Sequence, residues 1–276
     1  RNTDDADADA NDALTVTFNG DTGADDVTIN GGAGEETITI TNGDLDDLEV
    51  NAGAGNDTVD LDGAGGDNIE VNGGAGDDTI TGTDDDEEIN GGAGDDTFNS
   101  SQAADTYVVG AGDDHFNFDA LADAGDTITD FSDAGTDVLD LNVAVTDGAG
   151  AFDETTFDVE AGGGDATLAA GVVIFDNGEA NVADADSLDA AGIADRINDI
   201  GDDDNGGALD NVLSKNDNGD EFYVVISDGT DTAVAFVESG GADTTVDADE
   251  ITVLVTLDGI GDAGTLGAAN LDGLTA

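Results

Sequence analysis

Residues 73–114 decide how this chain is read: GGAGDDTIT (73–81), GTDDDEEIN (82–90), GGAGDDTFN (91–99), SSQAADTYV (100–108) and VGAGDD (109–114). The stretch repeats every nine residues, with an acid at the sixth position and an apolar residue at the eighth. The acids are Asp78, Glu87, Asp96, Asp105 and Asp114, and the apolar series is Ile80, Ile89, Phe98, Tyr107 and Phe116. Such fixed phasing marks a repeat architecture, in which each unit stacks on the next to bury what it cannot bury alone.

The phase continues upstream at a longer period. Sixth-position acids fall at Asp25, Glu36, Asp46, Asp57, Asp67 and Asp78, in steps of 11, 10, 11, 10 and 11. Val27, Ile38, Leu48, Val59 and Ile69 follow at the eighth position, and Ile29, Ile40, Val50, Leu61 and Val71 lie two further on. Side chains alternate across a strand, so both apolar residues point inward. With two repeats to a coil, the coil shortens from 21 residues to 18 near Asp78, and a taper is expected there.

Gly73–Thr81 and Gly91–Asn99 match G-G-x-G-x-D-x-U-x at every specified position, and the array resembles the RTX (hemolysin-type) calcium-binding nonapeptide family. The segment DTITDFSDAGTDVLDL (126–141) is similar to the one that closes RTX rolls. The resemblance implies an all-β fold: a parallel β-roll over 20–141, after an acidic lead and opening strand over 1–19. A β-rich C-terminal domain with one short helix is expected over 142–276.

Consecutive repeats lie on opposite edges of such a roll, so the acids form two columns. The first holds Glu36, Asp57, Asp78, Asp96 and Asp114 in loops near consensus; the second holds Asp25, Asp46, Asp67, Glu87 and Asp105 in loops that have lost most glycines. Calcium takes six to eight oxygens, many from backbone carbonyls. The resemblance places ions between successive coils of the first column, held by these acids and by backbone at Gly31, Ala33, Ala54, Gly73, Ala75, Gly91, Ala93 and Ala111. Asp130 and Asp137 of the closing segment join them. About four ions or more are expected in the first column; the second is expected to be patchy or empty, with SSQAAD a plain turn. Outward positions are expected to stack Thr37, Thr58, Thr79 and Thr97 on one face, and Asp26, Asp47 and Glu88, beside Glu49 and Glu70, on the other. Stacked like charges need neutralising by cations, salt or a neighbouring molecule.

Composition narrows the function. The chain has 276 residues, with 68 acids against Arg1, Arg196 and Lys215, a formal charge of −65. Such a chain cannot take nucleic acid without a cationic bridge, because phosphate contacts require Lys and Arg. It must take up cations, and self-repulsion keeps it expanded until they arrive. A halophile's acidic surface contributes to such an excess but leaves the acids unphased. With no cysteine there is no disulfide framework, and metal is the remaining staple. The lack of methionine implies a processed or excised piece of a longer product. No apolar run approaches a membrane span.

Past the roll, Gly171–Phe175 reads as a buried strand, and Ser187–Ile200 as a helix with Ser187 as N-cap and Leu188, Ala191, Ala194, Ile197 and Ile200 on one face. Phe222–Ile226 and Thr232–Val237 flank SDGTD in a hairpin pattern, and Glu250–Leu257 is a final strand. Asp243, Asp247, Asp249 and Glu250 form a candidate acidic site. The last 55 or so residues resemble the ends of RTX proteins exported by type I secretion, S-layer proteins among them. Phe116, Phe118 and Phe131 are expected to plug the end of the roll.

No catalytic constellation emerges. His115, the only histidine, falls at an outward position, and there is no G-x-S-x-G and no cysteine nucleophile. Acid pairs are too numerous for any one to mark a glycosidase dyad. The expectation is a non-enzymatic, extracellular calcium-binding structural protein, gated in its folding by calcium and self-assembling as an S-layer, sheath or fibre subunit. Its partners are then copies of itself, which would also pin its two tails, and cell-surface polysaccharide. The alternatives are a folding and secretion module of a larger RTX adhesin or exoenzyme, and a haloarchaeal surface protein using calcium and salt together.

Overall fold

The computed structural model describes residues 3–4, 13–17, 26–41, 43–131, 137–142, 172–174, 188–194, 221–238, 247–261, 266 and 270–272. The chain divides into two compact units, Arg1–Asp140 and Leu141–Ala276. Among the described residues the fold is mostly β, a parallel stacked-coil solenoid, as the repeat phasing requires, with one short α-helix.

In the first unit the chain alternates between two parallel sheets, so strands adjacent in a sheet are one coil apart in sequence. The first sheet runs through Thr3–Asp4, Asp26–Gly32, Gly43–Ala54, Ala64–Ala75, Glu87–Ala93, Thr106–Ala111 and Asp126–Thr129. The second runs through Ala13–Thr17, Thr37–Thr41, Thr58–Asp60, Thr79–Thr81, Thr97–Asn99, His115–Phe118 and Val138–Leu141. Two inward rows face each other across the roll. Ile29, Val50, Val71, Ile89, Tyr107 and Ile128 come from the first sheet, and Ile38, Val59, Ile80, Phe98, Phe116 and Leu139 from the second. None of the twelve is more than 1% exposed.

The taper falls where the coil shortens, and it corrects the expected register. First-sheet strands drop from 12 residues at Ala64–Ala75 to 7 at Glu87–Ala93. Below the shortening, Asn72 still pairs with Asn90 and Gly74 with Gly92, so the three missing residues are lost ahead of the strand. Ile89 and Tyr107 therefore continue the row of Val71 rather than that of Ile69. The Val27–Leu48–Ile69 row ends on Glu87, a buried carboxyl where an apolar side chain was expected. For the same reason Glu88 stacks on Glu70 and Glu49, not on Asp47. The register is pinned at the glycine loops, whose inter-coil hydrogen bonds tolerate no slip.

Towards the last coils the core turns aromatic. Tyr107 packs edge-on against Phe116 with centroids 4.4 Å apart, Phe98 stacks on Phe116 at 5.8 Å, and Phe118 lies 4.8 Å from Phe116. Phe116, Phe118 and Phe131 are all buried. These rings fill the core of the last, shorter coils.

The second unit contains an antiparallel hairpin, Glu221–Ser227 with Thr232–Glu238, extended by Ile251–Asp258 on one side and by Val172–Ile174 in parallel on the other. The turn is set by Gly229 at φ +90° and by Asp228, whose Oδ1 accepts N–H bonds from Thr230 and Asp231. The helix spans residues 190–194 of those described. Its cap is Asp189, not Ser187: Asp189 Oδ1 accepts from the Gly192 N–H at 2.9 Å. Ile193 and Ala194 are buried against Val224, Ile226, Ala233, Ala235, Val237 and Ile251, while Ala191 is exposed, so the buried face is rotated from the expected one. Ser187, Ile197, Ile200 and Asp243 lie outside the described residues, as do both extreme ends of the chain.

Candidate metal centre

The first column stands as a hydrogen-bonded ladder of acids. The backbone N–H of Glu36 donates to Asp57 Oδ1 at 2.7 Å, Asp57 N–H to Asp78 Oδ1 at 2.8 Å, and Asp78 N–H to Asp96 Oδ1 at 2.8 Å. Asp96 N–H donates to Asp114 Oδ1 at 2.8 Å, and Asp114 N–H to Asp137 Oδ1 at 3.1 Å. Each acid thus reaches back one coil with one oxygen. A second ladder beside it runs the other way: Asp95 N–H donates to Asp77 Oδ1 and Asp113 N–H to Asp95 Oδ1, on the exposed side of the loops.

The glycines of the loop make this geometry possible. At the second and fourth positions the chain enters the left-handed region, with Gly92 at φ +112° and Gly94 at +133°, where a Cβ is disfavoured. At the first position the need is for room. A Cβ on Gly91 would stand 2.5 Å from Asp96 Oδ2 and 2.7 Å from the Val109 carbonyl oxygen. On Gly73 it would stand 2.5 Å from Asp78 Oδ2 and 2.7 Å from the Gly91 carbonyl oxygen. The acid's second oxygen and a carbonyl of the next coil therefore share the space that the glycine leaves open.

Among the described residues that second oxygen has no partner. Glu36 Oε2 and the Oδ2 atoms of Asp57, Asp78, Asp96 and Asp114 are buried without a hydrogen-bond donor, on side chains no more than 6% exposed. Burial drives the pKa of all five upward; Asp96 is raised to about 7, with Asp78 and Asp114 adding repulsion, and Asp114 to about 6. An unpaired buried carboxylate oxygen is costly, and five in line call for a positive ligand. The donor set is all oxygen, which suits a hard cation such as calcium. Among the described residues no three acid, His or Cys side chains converge on one point, so most ligands would be carbonyls, as in the loop chemistry expected from the sequence.

The remaining expected residues fall as follows. Ala54, Ala75, Ala93 and Ala111 stack in register, and the carbonyls of Ala75, Ala93 and Ala111 accept N–H bonds from Gly55, Gly76 and Gly94, keeping one lone pair each. Gly31 and Ala33 occupy the matching loop of the earlier coil, beside Glu36. Asp130 takes φ +61° in the row of Gly91 and Val109, and its Oδ1 accepts the Val109 N–H at 3.0 Å. Asp137 closes the column. Asp25 lies outside the described residues, and Asp46 and Asp67 are placed only by their backbone, in Gly43–Ala54 and Ala64–Ala75.

The second column differs below the taper. Its acids are Glu87, Asp105 and Asp126; Asp105 Oδ1 accepts the Glu87 N–H and Asp126 Oδ1 the Asp105 N–H, both at 2.9 Å. Here the other oxygens are mostly occupied by hydroxyls. Thr83 Oγ1 bonds Glu87 Oε1, Ser101 Oγ reaches Asp105 Oδ2 at 3.1 Å, and the Tyr107 hydroxyl donates to the same oxygen at 3.1 Å. In the loop 100–105 Ala103 takes φ +79°, at the position where the first column has glycine. Asp126 was missed as a column member, although Asp126 and Ile128 repeat the acid–apolar spacing; the glycine-poor loop DALADAG before it hides the phase. His115 stacks on Thr97 in the outward row, with Nε2 3.8 Å from Asp140 Oδ2. Across a short turn the Asp247 N–H donates to Glu250 Oε2 at 3.0 Å and the Glu250 N–H to the Asp247 carbonyl, and among the described residues no cluster of three acids forms there.

Fold and site together define a class: a parallel β-solenoid whose one edge carries an unbroken stack of buried, half-satisfied carboxylates. No family model matches the chain, and no curated protein matches it in sequence.

Proposed function

We propose that this chain is a secreted calcium-binding structural protein of the RTX kind, whose folding is gated by calcium and which assembles with copies of itself at the cell surface. The observation that carries the reading is the line of five buried carboxylate oxygens without donors among the described residues, two of which, on Asp78 and Asp96, stand beside the loop-opening glycines Gly73 and Gly91. Calcium, when bound, would supply the positive charge this line lacks. Glu36, Asp57, Asp78, Asp96 and Asp114 would hold it, with carbonyls of the stacked loops.

The gating follows from the chain's own charge. Without cations, acids stacked about 4.8 Å apart repel along the column, and the thin core of the short coils cannot offset them. The open chain suits export. In a calcium-rich exterior, binding free energy becomes folding free energy. Millimolar-range affinity is usual for extracellular calcium modules.

Assembly is supported by the outward faces. Thr37, Thr58, Thr79 and Thr97 form a straight row on the second sheet, and Asn99 bonds Thr81 and Asn117 along the next. On the first sheet Glu49, Glu70 and Glu88 stack in register, an arrangement that cations shared with a neighbouring copy would relieve. The division of the chain into a roll and a second compact unit favours the other reading, a folding and secretion module of a larger adhesin or exoenzyme. Electron microscopy of the purified chain with and without calcium separates them. Ordered sheets or filaments in calcium support the structural reading; folded, monodisperse monomers support the module.

A further inference from the structure

The lower second column carries an inference that rests beside the cation reading of the first. Glu87, Asp105 and Asp126 are stacked in register, and none is more than 5% exposed. Their protons do not add up if all three are ionised. Ser101 Oγ stands 3.4 Å from Glu87 Oε2 and 3.1 Å from Asp105 Oδ2, but a hydroxyl has one proton to give. The Tyr107 hydroxyl is committed to Asp105 Oδ2 and the Thr83 hydroxyl to Glu87 Oε1. Ser101 Oγ thus bridges the Glu87 and Asp105 carboxyl groups, which a single hydroxyl proton cannot satisfy together. Asp126 Oδ2 is buried with no donor among the described residues.

Among the described residues, the groups facing this edge offer no compensating charge. Asp123 presses on Asp126, its own Oδ2 held by the Ala120 N–H, and Asp84 presses on Asp123. Asp86 accepts the Ala104 N–H, and Gln102 donates to Asp84. Apart from the phenol of Tyr107, every titratable group named there is an acid.

We infer that the second column from Glu87 to Asp126 is closed by protons and hydroxyls instead of cations. Glu87 carries a proton that it donates to Asp105, and Asp126 carries another on Oδ2. On deprotonation each proton passes to solvent and leaves a buried charge. The roll then has one edge that answers to divalent cation and one that answers to pH. Burial foremost, with neighbouring carboxylates adding to it, holds Glu87 and Asp126 up at about 8, in keeping with this.

The test uses the full chain and two double variants, E87Q/D126N and D78N/D96N. Amides stand in for protonated acids, so E87Q/D126N should fold and bind as many calcium ions as the parent by equilibrium dialysis. At saturating calcium the parent's melting temperature should fall between about pH 7 and about pH 9, and E87Q/D126N should lose that fall. D78N/D96N should bind fewer calcium ions and keep it. Fewer calcium ions on E87Q/D126N, an unchanged pH fall in it, or its failure to fold overturns the inference. If instead D78N/D96N keeps all its calcium, the cation reading of the first column fails while the proton-held second column stands.

Discussion

The two edges of the roll are built from one repeat and differ in the fate of one oxygen per rung. In the first column Asp78 and Asp96 each leave Oδ2 buried beside a loop-opening glycine, facing a carbonyl of the next coil. In the second, Ser101 Oγ enters the space that Gly82 leaves beside Glu87, and the hydroxyls of Thr83 and Ser101 reach the oxygens of Glu87 and Asp105. A glycine keeps a site open; a hydroxyl fills it. The same backbone therefore supports an edge whose second oxygens stand open and an edge where hydroxyls meet most of them, and the acid alone does not reveal which.

The largest effect expected from this contrast is on paired acids. Asp78→Ala with Asp96→Ala should destabilise the roll in calcium by on the order of 3–5 kcal/mol and lower the calcium bound, because neighbouring charges are left without the ligand they share. Urea denaturation with bound-calcium analysis reads both. The matching change in the second column, Asp105→Ala, should destabilise the roll but leave the bound calcium unchanged.

Acid should substitute in part for calcium. Asp96 is raised to about 7, Asp114 to about 6, and Glu87 and Asp126 to about 8, each chiefly by burial. In that window the folded chain holds more protons than the unfolded one, whose acids titrate near about 4. Stability therefore rises as pH falls from about 8 towards about 5, and is lost as pH climbs back. Denaturation curves in chelator at stepped pH should show this. In saturating calcium the first-column share disappears and the second-column share remains.

Backbone changes sharpen the comparison further. Gly92→Ala should cost about 1–3 kcal/mol, since φ +112° is unfavourable for alanine and the Cβ would press on the Gly74 carbonyl. Ala103→Gly, at φ +79° in the second column, should stabilise by about 1 kcal/mol. The smallest effect is that of Ser101→Ala, about 1 kcal/mol of destabilisation with no change in calcium stoichiometry.

Much of this was legible from spacing. The acids at 36, 57, 78, 96 and 114 and the inward rows around Ile80 and Phe98 follow from phase alone, because a parallel stack repeats its register coil after coil. What spacing could not show was where a shortened coil loses its residues. Counting placed Glu87 under Asp67, whereas the glycine loops hold register and move Glu87 under Ile69. Asp126 was hidden for a related reason, a loop that keeps the acid but not the glycines. The hydroxyl partners of Glu87 and Asp105 needed three dimensions, since Ser101 reaches an acid fourteen residues back and Thr83 one four residues ahead. In the second unit the cap fell to Asp189 because its side chain, two residues beyond Ser187, meets the Gly192 N–H.

The central claim is that divalent cation holds the first column closed. Far-UV circular dichroism of the intact chain, at moderate ionic strength, should lose most of its sheet signal on addition of a calcium chelator and regain it when calcium is restored in excess. A sheet signal that persists unchanged through the chelator step at neutral pH would contradict the account.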